Sequence, residues 1–391
     1  MIIRQEILFS FEELQKCEPK SRIEILMDNL DVTPCVQKLP VHTLGRRPYP
    51  HAAMLRALVA MHLLSIPTVS ALVERLSYDL RLLHACGFDA AHRAPSNAKF
   101  SRFYDMISKN DGLHRLFDAL VQTCRDLGIV DGKNVAIDSS ALHAYEHPLP
   151  KSKHPKDGQQ ADWGHKNDSH GNPMDWYGYK LHAAVDAKSG LPLAVRVTPA
   201  NEPDVCLAIP LMEKAASPET NHYCMDKGYD ATDIYRKALE FGGSAIIPLN
   251  LRNEKIPPEG LNRGHAPVCS MGYDMIYWGC DRNTGVLKFR CPHVLGKVDC
   301  PQGSNWCSES NYGCVVKKRT EDDPRSFCLP HRGSREWERI YKLRSASERL
   351  FSRTKAALGL DDIHLRGIAK VTAHSLLCCI TVLASAVALH G

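Results

Sequence analysis

The sequence predicts a mixed α/β core, preceded by an all-helical N-terminal domain and interrupted by a Cys-rich, β-leaning insertion. Three observations predict it. Apolar residues recur at helical spacing through the first 130 positions. After Gly132 the pattern changes to strand, hairpin, helix, strand, helix, strand. From 249 to 334 that rhythm gives way to Pro, Gly and short β-like pieces, with seven of the 15 Cys between Cys269 and Cys328. The expected segments are therefore a helical N-terminal domain (1–130), the first part of the core (131–248), the insertion (249–334) and C-terminal helices completing the core (335–391). With 44% hydrophobic and 24% charged residues, disordered and low-complexity chains are excluded. A net charge of +5 permits nucleic acid as a partner without requiring it.

In the N-terminal region, apolar positions run from Met54 through Leu64, Leu72 to Leu76 and Leu80 to Leu83. Pro95 and Ser96 then open a helix that carries Asn97, Lys99 and Arg102 near its first turns. Short helices leading to one with amide and basic side chains suggest a helix-turn-helix-like DNA reader; a helical bundle with a solvated basic face is the alternative. Asn134–Ser140 reads as a short strand ending in a carboxylate, Asp138, and His143–Tyr177 as a long loop. Tyr179–Val185 and Leu191–Val197 flank the turn Lys188-Ser189-Gly190 as a hairpin. A helix over 204–216, a strand Tyr223–Asp226, a helix Ala231–Phe241 and a strand Ser244–Pro248 follow. A long charged helix is expected from Arg335 to Ala357.

Val371 to Leu389 is 19 residues without Asp, Glu, Lys or Arg, close to membrane-spanning length. Its Thr372, His374, Ser375, Thr381 and Ser385 favour a buried core helix and no membrane partner. Met1–Glu6 has no apolar run of a secretory signal, so a cytoplasmic location with reduced, buried or metal-bound thiols is expected.

Asp138 and Asp226 each close a predicted strand, the edge at which α/β sheets gather their chemistry. On the late helix, Tyr341, Arg344, Glu348 and Lys355 are offset by 0, 3, 7 and 14 residues. At about 100° per residue they share a stripe roughly 60° wide. Arg332 to Lys355 holds six Arg and two Lys against three Glu, a balance of +5. A basic stripe around one acid suits phosphate held beside a metal. Three converging carboxylates repel one another unless cations are bound, and Mg²⁺ prefers carboxylate oxygens. Two such ions, with Mn²⁺ as a substitute, can serve both the attacking and the leaving oxygen of a phosphoryl transfer.

These residues carry a resemblance. Asp138 after Val135-Ala136-Ile137, the run Asp226-Lys227-Gly228-Tyr229-Asp230, and the spacing Tyr341, Arg344, Glu348, Lys355 resemble the DDE transposases of bacterial insertion sequences, within them the group with a Tyr-Arg-Glu-Lys signature. Gly178-Tyr179-Lys180-Leu181-His182 is similar to the hairpin strand of that family. The resemblance implies a ribonuclease-H-like core split before the Glu helix, with Asp138, Asp226 and Glu348 as catalytic Mg²⁺ ligands. It implies binding and cleavage at terminal inverted repeats, joining of 3′-hydroxyl ends to target DNA, and a homodimer on paired ends, associated with the bacterial nucleoid when active. Tyr341, Arg344 and Lys355 match groups that contact end phosphates, and Lys180, His182, Lys99 and Arg102 are counted with the DNA-binding residues. Hairpin ends, if formed, need an aromatic to stack a flipped base; Trp163, Trp176, Trp278 and Trp306 are the candidates. A catalytically silent DNA-binding regulator derived from a transposase is the second reading.

In the insertion, Cys291, Cys300, Cys307 and Cys314 are the zinc-ligand candidates, although no Cys-x-x-Cys pair is present. Structural Zn²⁺, buried thiols and oxidisable surface thiols all fit that pattern. Cys378-Cys379 in the apolar helix reads as core packing.

Overall fold

The computed structural model describes residues 20–40, 48–89, 91–148, 150, 160–167, 172–251, 254–303 and 306–390. Two compact units emerge. One comprises 1–127, 354–365 and 369–391; the other comprises 128–353 and 366–368.

The first unit begins with α1 (Arg22–Asn29) and α2 (Thr33–Val36). At the start of α1, the Ser21 hydroxyl accepts from the Glu24 N–H while the Glu24 carboxylate accepts from the Ser21 N–H, a reciprocal cap. Next comes α3 (His51–Leu63), with Ala53 to Leu55 and Ala57 to His62 all buried. A helix apolar on every side belongs inside a bundle. Thr68 caps α4 (Val69–Tyr78) and Asp79 caps α5 (Leu80–Ala85), each accepting from a backbone N–H three residues on. The expected helix after Ser96 is α6 (Asn97–Ser108), which buries Phe100, Phe103, Tyr104 and Ile107 and exposes Lys99 and Arg102. In α7 (Gly112–Asp126), Leu113, Leu116, Phe117, Leu120, Val121 and Cys124 form one buried stripe.

The second unit is built on a mixed sheet. β1 (Asn134–His143) lies antiparallel to β3 (Pro173–Asp186), which also pairs β2 (Asp162–Asn167) and β4 (Pro192–Pro199). After α8 (Val205–Ala215), β5 (His222–Cys224) joins β1 in parallel. After α9 (Thr232–Glu240), β6 (Ser244–Ile246) joins β5 in parallel. Four strands joined antiparallel and two joined in parallel make the mixed α/β sheet that the sequence predicts. The expected loop His143–Tyr177 is interrupted: 162–167 and the start of β3 from Pro173 are strands, with Trp163, His165, Lys166, Met174 and Asp175 exposed and only Gly164 and Trp176 buried within that stretch. An extended pair with little burial leaves no apolar alternation to read.

The insertion carries a second sheet of β7 (Ile276–Asp281), β8 (Val286–Arg290) and β9 (Val315–Arg319), antiparallel throughout. Arg325 and Arg332 fasten it to the core sheet. Arg325 Nη2 donates to Asp230 Oδ2 at 2.9 Å, and Arg332 Nε donates to the Ile247 carbonyl at 3.1 Å. Arg332 Nη2 also reaches the Tyr235 hydroxyl at 2.9 Å.

The late helix is not continuous. α10 (Arg335–Tyr341) passes through a 3₁₀ turn at Lys342–Arg344 into α11 (Ser345–Leu358). The last helix is α12 (Ile368–His390). By length and composition it could cross a membrane, but 78% of its most apolar window is buried within the protein. The segment 335–391, expected as one piece of the core, divides at Arg353, and α12 groups with the N-terminal helices. Its Cys378 Sγ lies 3.5 Å from His62 Nδ1 on α3, and Lys370 pairs with Asp105 on α6 at 2.7 Å.

Candidate active site

Strand register places the first two carboxylates. Ala136 on β1 stands opposite Cys224 on β5. Asp138 and Asp226 each follow two residues later, so both emerge where the parallel pairing ends. β1 itself runs on to His143 against β3, which leaves Asp138 inside a strand and not at its tip. Each aspartate has one oxygen on backbone. Asp138 Oδ1 accepts from the Ser139 N–H at 2.8 Å, and Asp226 Oδ1 accepts from the Gly228 N–H at 2.7 Å.

Arg344 supplies the link to the helix. Its Nη1 lies 3.3 Å from Asp138 Oδ2 and its Nη2 lies 2.6 Å from Glu348 Oε1. One guanidinium thus joins the β1 aspartate to the α11 glutamate. The 3₁₀ turn does not disturb this, because Arg344 and Glu348 remain one helical turn apart. Burial works against the charge on Arg344, and Glu348 and Asp138 more than restore it, so its pKa is raised. Burial pushes the Asp138 carboxyl up to about 6, with Asp226 adding to the shift and Arg344 opposing it. Tyr341 stacks on Trp337 with ring centroids 5.0 Å apart. Burial raises its hydroxyl pKa, Arg344 pulls it back, and both aspartates contribute to its field. Lys355, two turns beyond Glu348, pairs with Asp361 at 3.1 Å.

The remaining expected site residues divide. Lys180 is half-buried, its Nζ held by the Glu202 carbonyl at 2.9 Å and Asp204 Oδ1 at 2.8 Å. His182 is fully buried on Thr198 Oγ1 at 2.9 Å, and burial lowers its pKa to about 4. A ring without solvent access holds β3 to β4 and does not present itself to a phosphate in this conformation. Trp176 is buried, its indole N–H on the Tyr179 carbonyl, whereas Trp163, Trp278 and Trp306 are about half exposed.

Sequence reasoning missed Asp204. It accepts from the Ser139 hydroxyl at 2.7 Å and holds Lys180, forming a polar bracket beside Asp138. Its only signal was its place as the first residue of an expected helix. Lys166 on β2 was also missed; its charge lowers the Asp138 pKa. In the helical unit, His62, His374 and Cys378 bring three buried donor atoms within 4.8 Å of one another. His62 Nδ1 donates to the Leu358 carbonyl at 2.9 Å and His374 Nε2 to that of Gly359 at 3.0 Å, so the two rings tie α3 and α12 to the end of α11 and the residue after it. The insertion thiols Cys291, Cys300, Cys307 and Cys314 are not gathered into such a group among the described residues.

Carboxylate oxygens thus come from β1, from the turn after the neighbouring strand β5 and from α11, with Arg344 linking the first and the last. Residues 122–384 match the family model of the transposase DDE domain, and residues 10–106 match that of a second transposase domain, DUF772. The chain belongs to the DDE transposase family, as the sequence resemblance implied. Among solved structures, it is similar to a piggyBac transposase in a synaptic complex with hairpin DNA, with a TM-score of 0.43 and 11% identity over 94% of this chain and 74% of that one. So distant a likeness carries no argument about the site.

Proposed function

We propose that the chain binds the terminal inverted repeats of its own insertion sequence, cuts DNA there by Mg²⁺-dependent phosphoryl transfer and joins the 3′-hydroxyl ends to target DNA. The observation that carries this reading is the Arg344 bridge, which brings Glu348 to Asp138, on the strand whose neighbour β5 leads two residues on to Asp226. The donor set fits the ion. Asp138, Asp226 and Glu348 offer carboxylate oxygens, and Arg344 shows that positive charge is favourable between two of them. Those three residues would hold Mg²⁺, two per site, with Mn²⁺ able to replace it. When bound, the ions neutralise the developing charge of the phosphoryl group and polarise the attacking oxygen.

In the first reaction a water oxygen bonds to phosphorus, the P–O3′ bond breaks, and the 3′-oxygen gains a proton. In the second, that 3′-hydroxyl attacks a target phosphodiester and displaces another 3′-oxygen. Arg344 and Lys355 grip the phosphates, Tyr341 packs against the end, and Lys99 and Arg102 contact duplex through α6. Two copies act on paired ends in the bacterial cytoplasm.

The test incubates purified protein with end-containing duplex and Mg²⁺ and resolves the strands on a denaturing gel. Wild type nicks the end; Asp138→Ala, Asp226→Ala and Glu348→Ala each lose at least about a hundredfold in rate while still shifting the DNA. Binding by wild type without nicking in either Mg²⁺ or Mn²⁺ overturns this reading in favour of a silent regulator.

A further inference from the structure

The insertion has little to hold it together. Among its described residues the buried apolar cluster is Leu261, Met275, Leu287, Phe289 and Phe327, with Cys269, Tyr277, Cys280, Cys314, Val316 and Leu329 packed partly buried against it. Folded pieces with so small a core are commonly closed by disulfides or a structural metal. No disulfide joins the described cysteines.

Four of those cysteines converge. Cys269, Cys291, Cys300 and Cys307 line one cavity of about 10 Å³, with His293 and Trp306 beside them. That volume has room for a single ion or water. Two of the four sit at the head of the same local turn. The Gly272 N–H donates to the Cys269 carbonyl at 2.8 Å, and the Gly303 N–H donates to the Cys300 carbonyl at 2.9 Å. Both glycines have positive φ, 79° and 66°, so Cys-Ser-Met-Gly and Cys-Pro-Gln-Gly fold alike. Turns of this kind offer successive N–H groups to an anion such as a thiolate. Cys291 follows directly on β8 and is locked by donating to the Cys314 carbonyl at 2.9 Å.

We propose that Cys269, Cys291, Cys300 and Cys307 close on one structural Zn²⁺. Four thiols lose their protons and become thiolates, giving tetrahedral Zn–S bonds of about 2.3 Å. Among the described residues the four sulfurs do not yet stand within 4.8 Å of one another, so the ion draws two turns, a strand end and Cys307 together. The set differs from the one expected from sequence. Cys269, far back in the chain, takes the place of Cys314, whose thiol faces Cys307, Cys291 and Cys269 but does not line the cavity. The site is independent of the nuclease reading and staples the sheet of the insertion, not the carboxylates.

The test measures metal in the full chain purified from zinc-supplemented culture. Plasma mass spectrometry is expected to give about one Zn²⁺ per chain. Cys269→Ser and Cys300→Ser should each cut that content at least fivefold, whereas Cys314→Ser, Cys378→Ser and Asp138→Ala keep it. Because a ligand variant can misfold, wild type is also loaded with Co²⁺, which should show thiolate-to-cobalt charge transfer and strong tetrahedral visible bands. Zinc-free wild type that takes up no Co²⁺ overturns the proposal. So does full zinc in Cys300→Ser with loss in Cys314→Ser. No DNA cleavage enters either measurement, so failure here leaves the nuclease reading untouched.

Discussion

Asp138→Asn should make the protein more stable at pH 8 and no more stable at pH 4. The Asp138 carboxyl is pushed from its ordinary 3.8 up to about 6, chiefly by burial, and its side chain is only 16% exposed. Between those two pH values the folded chain binds more protons at this site than the unfolded chain. Stability is therefore lost as pH rises through that window. Two units at about 1.4 kcal/mol each give a penalty of about 3 kcal/mol above pH 6. Asparagine removes the charge and keeps the shape, and the weakened Arg344 contact trims the gain to about 2 kcal/mol. Urea unfolding in EDTA at both pH values measures it. The variant should match wild type at pH 4 and exceed it by about 2 kcal/mol at pH 8, and added Mg²⁺ should stabilise wild type alone. An equal gap at the two pH values, or a less stable variant at pH 8, refutes the reasoning that burial of charge at this carboxylate is held for chemistry.

Two further outcomes follow from geometry elsewhere. Gly178→Ala would set a Cβ 2.1 Å from the Leu142 carbonyl oxygen and 2.8 Å from the Ala144 nitrogen, both backbone. Overpacking of this kind costs about 1–3 kcal/mol or more, read as a lower melting temperature, and it should slow end cleavage by shifting Lys180 and the neighbouring strand. Replacing Lys99 and Arg102 together by Ala should leave the melting temperature unchanged, because both are exposed on α6. It should weaken DNA binding for every sequence and flatten the log–log salt slope by about 2, close to one unit per lost phosphate contact.

Much of the core could be read before any coordinates, for definite reasons. Val135-Ala136-Ile137 and Tyr223-Cys224-Met225 are short apolar runs, each followed by a carboxylate, and buried parallel strands have that form. Pro95, Ser96 and the apolar Phe100, Phe103 and Met106 announced α6. Arg344 and Glu348 were legible because four residues on a helix always meet. What escaped lacked a local signature. β2 gains its pairing from β3 without burying an apolar face. The 3₁₀ turn at Lys342–Arg344 carries neither Gly nor Pro. The Ser139–Asp204–Lys180 bracket joins residues 65 and 24 positions apart, a distance no motif spans. The partition of 335–391 depends on which helices α12 packs against, and an all-round apolar helix does not name its neighbours.

The arginine pair at the root of the insertion has a consequence for how such a chain changes over generations. Arg332 grips Ile247 and Tyr235, and Arg325 grips Asp230, so the outgoing end of the detour is pinned beside its point of departure. A loop whose two feet are clamped side by side behaves as an interchangeable attachment. Material can be lengthened, trimmed or exchanged between the clamps while the sheet beneath keeps its register.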